Sequence, residues 1–105
     1  MAQFDVHRNL GAHAQAIPFV LIVQTRRLDA YRRRVVVPLV RASAIPVVEP
    51  TLNPRFVVEG VEVVLHPLDI VSVEVGRLGE RVGSLATEAD RVIAAIDAVI
   101  TGAWG

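Results

Sequence analysis

Valine dominates this sequence and limits the folds that it can adopt. Twenty of the 105 residues are valine, and most of them stand in short runs bounded by proline, glycine or charged residues. β-Branched side chains pack better on pleated strands than in helices. The chain is therefore predicted to be mainly β, with helix confined to its alanine-rich stretches.

The apolar pattern predicts five or six strands. Pro38 lies inside one of them and has no N–H to donate, which predicts that this strand lies at a sheet edge or is bulged there. Glu59-Gly60, between two apolar runs, indicates a hairpin turn, and the glycines from Gly76 to Gly83 indicate a turn region. The predicted strands are Gln3–Arg8, Pro18–Gln24, Arg34–Arg41, Phe56–Val58, Val61–Leu65 and Ile70–Val75.

A single helix is predicted from Leu85 onwards. Ser84 can cap its first turn, and Gly102 suits the position just beyond its last turn. Acidic residues crowd its first turns, where the helix dipole favours them. One stripe of the helix is apolar and comprises Leu85, Ala89, Val92, Ile93, Ile96, Val99 and Ile100.

These elements predict one domain, spanning residues 1–105, with one hydrophobic core. The expected fold class is mainly β: a small antiparallel sheet or partly open barrel with one C-terminal helix packed at one end. Apolar residues make up 52% of the chain, which is difficult for a small monomer to bury. An apolar interface with another subunit is therefore plausible.

The charge of the chain excludes some partners. Eleven arginines balance eleven acidic residues, and this zero net charge argues against a general nucleic-acid or membrane-surface binder. There is no cysteine, so neither a disulfide nor a cysteine-based metal site can form. The apolar run Ile17–Val23 is too short to cross a membrane and is not followed by a small-residue cleavage site. A cytoplasmic location is expected.

No combination of residues in the sequence indicates catalysis. His7, His13 and His66 lack the spacing of metal ligands. The glycines in the 76–83 region are not spaced as a phosphate-binding loop, and the predicted helix after them begins with acidic residues. We expect neither enzymatic activity nor a metal or cofactor.

A basic cluster is the first candidate binding feature. It could bind nucleic acid or an acidic peptide, because an aromatic residue stands among the arginines. The alternative is a solvated loop in which the last two arginines enter an edge strand and protect it from pairing with another sheet. The cluster comprises Arg26, Arg27, Arg32, Arg33 and Arg34, together with Tyr31.

Trp104 is the second candidate feature. It is the only tryptophan of the chain and stands next to the last residue. Tryptophan is enriched among the residues that dominate protein interfaces, so Trp104 could anchor a partner. Packing of its indole against the end of the helix is the alternative.

In the order and spacing of several segments, the chain resembles the CcdB family of toxins from bacterial toxin–antitoxin modules. The most specific segment runs from Arg33 to Leu39, and it resembles the family's Arg-Arg-apolar-Val-apolar-Pro-Leu strand. The other matching segments are Gln3–Val6, Phe19–Gln24 with Leu28-Asp29, Leu52–Pro54, Val58–Gly60, Leu68–Val73 and the closing helix with its Trp-Gly tail.

This resemblance implies a fold and a function. The fold would be an SH3-like β-barrel with a C-terminal helix, assembled as a homodimer. The function would be to bind the A subunit of DNA gyrase and to trap the enzyme on cleaved DNA, without catalysis by the toxin. A cognate CcdA-type antitoxin would neutralise the protein, and DNA would be contacted only through gyrase or through the repressing toxin–antitoxin complex.

The resemblance also implies that the end of the helix and a loop after the second strand contact gyrase. Trp104-Gly105 matches the family's Trp-Gly, whereas an alignment without gaps places Thr101-Gly102-Ala103 there instead. We favour Trp104 as the anchor, because a threonine cannot fill a pocket shaped for an indole. The predicted gyrase-binding residues are Leu28, Asp97, Thr101, Gly102, Ala103, Trp104 and Gly105.

Two other functions stay open at this point. An endoribonuclease of the MazF type would share the barrel architecture, and the arginine-rich loop could lie on RNA phosphates. A CcdB-like protein without gyrase-poisoning activity is the other alternative. It is suggested by the absence of the family's final isoleucine and by Arg27, which replaces an apolar residue beside Leu28.

Overall fold

The computed structural model describes residues 1–46 and 49–101. Seven strands and one α-helix, α1 (Ala89–Ile100), lie within these ranges. Short 3-10 turns cover Arg26–Leu28, Ala42–Ala44, Pro67–Asp69, Val75–Arg77 and Ala86–Glu88. The strands are β1 (Asp5–Asn9), β2 (Phe19–Ile22), β3 (Arg33–Arg41), β4 (Arg55–Val58), β5 (Val61–Leu65), β6 (Val71–Glu74) and β7 (Leu78–Ser84).

The seven strands form one antiparallel sheet that curves into a half-barrel. Its main path runs β4–β5–β3–β2–β1–β7, and β6 pairs with the first half of β3. The predicted fold class, a mainly β antiparallel sheet with one C-terminal helix, is confirmed. The sheet has one strand more than the highest predicted number, because β7 forms where a turn was expected.

The central strand β2 is buried on both of its faces. Phe19 and Leu21 join the larger core, which also receives Val92 and Ala95 from α1. Val20 and Ile22 alternate with them and belong to a smaller cluster, to which β3 contributes Val36 and β6 contributes Val73. Because successive side chains of a strand point to opposite faces, a continuous apolar run can serve two cores.

The expectation that the strand containing Pro38 lies at a sheet edge is wrong. This strand is central, since it pairs with β2 on one side and with β5 and β6 on the other. Pro38 lies opposite Val20, and on the other side it falls between the residues that pair with β6 and those that pair with β5. Its carbonyl accepts the His66 N–H at 3.0 Å. A proline is tolerated here because the neighbouring strand changes at this point.

The predicted hairpin is confirmed. β4 and β5 pair from Val58 opposite Val61, which leaves Glu59 and Gly60 as the two turn residues. Both have positive φ angles, +49° for Glu59 and +75° for Gly60. Two positive angles are the signature of the type I′ turn that suits a two-residue hairpin loop.

The turn region predicted from Gly76 to Gly83 is wrong for most of its length. β7 occupies Leu78–Ser84 and pairs with β1 in an irregular register. A side chain at Gly79 would place its Cβ 2.7 Å from the Cβ of Arg8 and 2.8 Å from the Arg8 carbonyl oxygen. Glycine at this position therefore permits a close approach of two strands.

The helix begins later than predicted. Ser84 is the last residue of β7, and its Oγ accepts the Ala86 N–H at 3.1 Å. Ser84 thus supports the 3-10 turn Ala86–Glu88, and regular α-helix starts at Ala89. Gly102, the predicted terminating glycine, lies outside the described residues.

Three ion pairs join β1 to its neighbours. Asp5 is buried, and its carboxylate accepts bonds from the Ala2 N–H at 2.9 Å and lies 3.1 Å from the Arg81 Nε. Burial opposes the charge of Asp5, but the Ala2 N–H and the Arg81 guanidinium outweigh it and hold the pKa of Asp5 below its usual range. On the exposed side, Arg8 bridges Glu59 and Glu80, with both distances 2.7 Å. These contacts fasten the hairpin tip and β7 to β1.

Candidate protein-binding surface

The outer face of α1 carries exposed apolar residues beside an acidic one. Ile93 is 48% exposed and Ile100 is 68% exposed, whereas Val92 and Ala95 are fully buried in the core. Ile93, Asp97 and Ile100 are spaced four and three residues apart, so they share one side of the helix. An exposed apolar row of this kind is typical of a protein-binding surface.

The end of α1 is closed by Thr101. Its N–H donates to the Asp97 carbonyl at 2.7 Å, and its Oγ donates to the same oxygen at 3.0 Å. The side chains of Asp97 and Thr101 are both exposed. Two of the predicted gyrase-binding residues are therefore brought together at the end of the helix.

Leu28 lies in a separate loop. It ends the Arg26–Leu28 turn, where its N–H donates to the Thr25 carbonyl at 3.1 Å. The Leu28 side chain is 43% exposed. Among the described residues no hydrogen bond or ion pair connects this turn to α1, so the structure shows no polar link between the two predicted parts of the site.

The remaining predicted site residues, Gly102, Ala103, Trp104 and Gly105, lie outside the described residues. Their roles stay predictions.

Sequence reasoning did not single out three exposed apolar residues as part of this surface. Ile93 and Ile100 were assigned to the apolar stripe of the helix, whose buried part is narrower than expected. Leu68 is exposed in the Pro67–Asp69 turn, which contacts α1. The available signal was the width of the stripe: seven apolar positions are more than one face of a short helix can bury.

The basic cluster is not a simple solvated loop. Arg34 is buried, and its guanidinium donates to the carbonyl oxygens of Tyr31 at 2.7 Å, Arg33 at 2.9 Å and Asp29 at 3.2 Å. Arg33 donates to the Ser72 Oγ and carbonyl oxygen of β6. Arg33 and Arg34 pair with β6 on one side of β3, whereas the pairing of β3 with β2 on the other side ends at Val36. The interpretation that these arginines protect an edge of the strand stays a prediction.

The described residues contain no group of three or more histidine, cysteine, aspartate or glutamate side chains that could hold a metal. Within the same ranges, α1 is the only α-helix, and it is too short to cross a membrane.

The half-barrel with its amphipathic C-terminal helix, on which Ile93 and Ile100 are exposed, defines a class of small β proteins with an exposed helix face. The family is then given by comparison with family models. The model of the CcdB family, described as CcdB protein, matches residues 3–102 of the 105-residue chain. This chain belongs to the CcdB family, and the predicted resemblance is confirmed. Membership of this family supports a role as the toxin of a toxin–antitoxin system. It also suggests, in general terms, a partner from such a system. No curated protein matched the chain in a sequence search.

Proposed function

We propose that this protein is a toxin that binds the A subunit of DNA gyrase in the cytoplasm and traps the complex of gyrase with cleaved DNA. A cognate CcdA-type antitoxin would neutralise it. The chain acts by binding and has no catalytic activity of its own. In this activity DNA is contacted only through gyrase or through the complex with the antitoxin.

The observation that carries this proposal is the exposed row on α1. Ile93 and Ile100 present apolar area to solvent on either side of Asp97, at the end of the molecule that leads into the Trp-Gly tail. Burying such side chains against a partner contributes roughly 1.5–3 kcal/mol each when burial is complete. The row therefore suits docking to a protein surface, and Leu28 offers a second apolar contact from its own loop.

A DNA-cleavage assay tests the proposal. Purified full-length protein is incubated with gyrase and supercoiled plasmid, and trapped complexes are released as linear DNA by detergent and protease. We expect linear DNA to accumulate with the wild-type protein. Trp104→Ala and Ile100→Ser should each raise the half-effective concentration at least tenfold, because anchors at an interface centre dominate binding.

Val57→Ser is the matched control for Ile100→Ser. Val57 is 69% exposed, as exposed as Ile100 at 68%, but lies on β4 and not on the helix. The Val57→Ser protein should trap gyrase as the wild type does. Undiminished trapping by both Trp104→Ala and Ile100→Ser would contradict the assignment of the binding surface. Absence of linear DNA with the wild-type protein would contradict the proposed function.

The same experiments distinguish the two alternatives. RNA cleavage by the purified chain in the absence of gyrase would indicate an endoribonuclease of the MazF type. Normal growth of cells that express a folded protein would indicate a CcdB-like chain that has lost gyrase poisoning.

A homodimer is part of the proposal. Leu68, Ile70 and Val71 are consecutive or nearly consecutive residues that expose apolar side chains around the start of β6. β6 pairs with β3, and the described residues place no further strand beside it. Light scattering on the purified protein should give twice the monomer mass, and Val71→Lys should shift it toward the monomer. A monomeric wild type at micromolar concentration would contradict this part.

A further inference from the structure

The arginines of this protein are unevenly paired. Arg8, Arg33, Arg34, Arg55, Arg81 and Arg91 each have a carboxylate within 4 Å. Five arginines have no such partner among the described residues, namely Arg26, Arg27, Arg32, Arg41 and Arg77. All of these except Arg41 lie in the 26–34 loop or in the Val75–Arg77 turn, and we name these two segments the arginine end.

The two segments of the arginine end meet. The Val75 N–H donates to the Arg32 carbonyl at 2.9 Å. A cleft of about 620 Å³ lies between the loop and the turn and is lined by Tyr31, Arg32 and Gly76, among others. A second cleft, lined by Arg33 and Arg77, adjoins it through Arg33. Arg32 and Arg77, two arginines without a carboxylate partner among the described residues, therefore line adjoining clefts.

The acidic residues of this end are already engaged. The Asp29 carboxylate lies 3.8 Å from the Arg34 Nε, and the Glu74 carboxylate lies 3.9 Å from the Arg33 Nη1. They offset two of the six arginines and leave Arg26, Arg27, Arg32 and Arg77 without a carboxylate partner in the part of the chain that the structure describes. The zero net charge of the chain thus conceals a local positive charge, and locally concentrated charge is what a polyanion responds to.

The loop is held in place from within. The buried Arg34 guanidinium ties together the carbonyls of Asp29, Tyr31 and Arg33. The Tyr31 N–H donates to the Leu28 carbonyl at 3.1 Å, while the Tyr31 side chain is 67% exposed. The only tyrosine of the chain is therefore exposed on a loop whose backbone is held by hydrogen bonds. It lies between arginines that have no carboxylate partner among the described residues.

The geometry points to a binding site for single-stranded nucleic acid at the arginine end, with Arg32 and Arg77 on the phosphates and Tyr31 stacked on a base. Arginines along a groove with an exposed aromatic ring are the combination by which proteins hold single strands without reading sequence. An acidic peptide would use the arginines but gains no stacking from Tyr31, so it is the less favoured ligand. This site is distinct from gyrase binding by α1, and it goes beyond the proposed function.

Fluorescence anisotropy with the full-length protein tests the inference in the absence of gyrase. The probes are labelled dT20, U20, a 20-base-pair duplex and a polyglutamate peptide. We expect dT20 or U20 to bind with a micromolar Kd at 50 mM salt. The logarithm of the affinity should fall with the logarithm of the salt concentration with a slope of about −1.4, as two neutralised phosphates on a single strand require.

Variants separate charge from stacking. Arg32→Ala/Arg77→Ala should remove most of the salt dependence and weaken binding at least tenfold at 50 mM salt. Tyr31→Ala should weaken binding about tenfold with an unchanged slope, and Tyr31→Phe should retain wild-type affinity because it keeps the ring. Arg41→Ala is the matched control, since Arg41 also lacks a carboxylate partner among the described residues but lies at the far end of β3.

Three results would overturn the inference: wild-type affinity in Arg32→Ala/Arg77→Ala, tighter binding of polyglutamate or of the duplex than of dT20 and U20, and no detectable oligonucleotide binding at 50 mM salt. A preference between dT20 and U20 identifies DNA or RNA as the ligand. Since gyrase is absent from this assay, failure here leaves the cleavage assay unaffected, and failure there leaves this site unaffected.

Discussion

Val92 and Ile93 are neighbours in the chain, yet Val92 is completely buried and Ile93 is about half exposed. The same division runs along α1, where Ala95 faces the core and Ile100 faces outward. Apolar residues lie on both sides of the helix, but only those on one side are buried in the core. Local hydrophobicity therefore does not identify which apolar residues form the core, and the exposed ones are those available to a partner.

The central strands provide the opposite case. In β2 both faces are apolar and both are covered, by the larger core on one side and by the smaller cluster around Val36 on the other. A strand enclosed by neighbours on each side and covered on both faces has no surface left for binding. The helix at the rim of the half-barrel is covered on one side only.

The largest expected effect comes from placing the same charge on the two sides of α1. Val92→Lys should lower the free energy of unfolding by about 3–5 kcal/mol, because an unpaired charge would be buried in the core. Ile93→Lys should change it by less than about 0.5 kcal/mol, because the new side chain reaches solvent. Urea unfolding of both variants measures the difference. Similar losses would show that the two sides of the helix are equally buried, and the distinction between them would be abandoned.

The second-largest loss of stability is expected at Asp5. This residue lies on β1, which pairs with β7, the strand that leads into the helix. Asp5→Asn should cost about 1.5–3 kcal/mol at pH 7, since a buried carboxylate loses its charged bonds to Ala2 and Arg81. The pKa of Asp5 is lowered by folding, so its contribution is present above its unfolded pKa of about 3.9 and is lost as the pH falls through the folded value. The difference in the free energy of unfolding between wild type and Asp5→Asn should therefore decrease below roughly pH 4.

Urea unfolding at several pH values measures this difference in the free energy of unfolding. Asp97→Asn is the control, because Asp97 is exposed and has no ion-pair partner among the residues in the described ranges. Its stability should follow that of the wild type at every pH. A difference in the free energy of unfolding between wild type and Asp5→Asn that stays constant down to pH 2.5 would show that the charge of Asp5 is not what stabilises β1.

A smaller effect is expected at the contact of β1 with β7. Gly79→Ala should destabilise by about 1–3 kcal/mol, because the added Cβ would meet the Arg8 backbone and force the strands apart. Gly83→Ala in the same strand meets nothing within 4 Å and should be neutral or stabilising by about 0.4–1 kcal/mol. Thermal unfolding of the pair provides the measurement. Equal melting temperatures would mean that β7 does not need a glycine at position 79.

Much of the fold could be predicted from the sequence because its signals are local. The hairpin turn at Glu59-Gly60 depends on the residues of the turn itself, and the buried strand at Phe19–Ile22 depends on an uninterrupted apolar run. The strand at Leu78–Ser84 could not be predicted, because its glycines resemble turn residues until β1 is placed beside them.

The candidate site divides in the same way. The positions of Leu28 and Asp97 came from the family resemblance, and their exposure agrees with a role at a surface. The burial of Arg34 could not be foreseen, because it depends on three loop carbonyls converging on one guanidinium. Charged residues look alike in a sequence, and only their neighbours show which of them hold the loop and which remain available to a ligand.

The sequence by itself determined the class of the fold, through its valine runs and its one alanine-rich helix, and it carried the segments that identify the CcdB family. Tertiary structure decided where Pro38 lies in the sheet, which isoleucines of α1 remain exposed, and which arginines lack a carboxylate. The reason is physical. Strand and turn preferences act between residues close in the chain, whereas burial and ion pairing depend on residues that only the folded chain brings together.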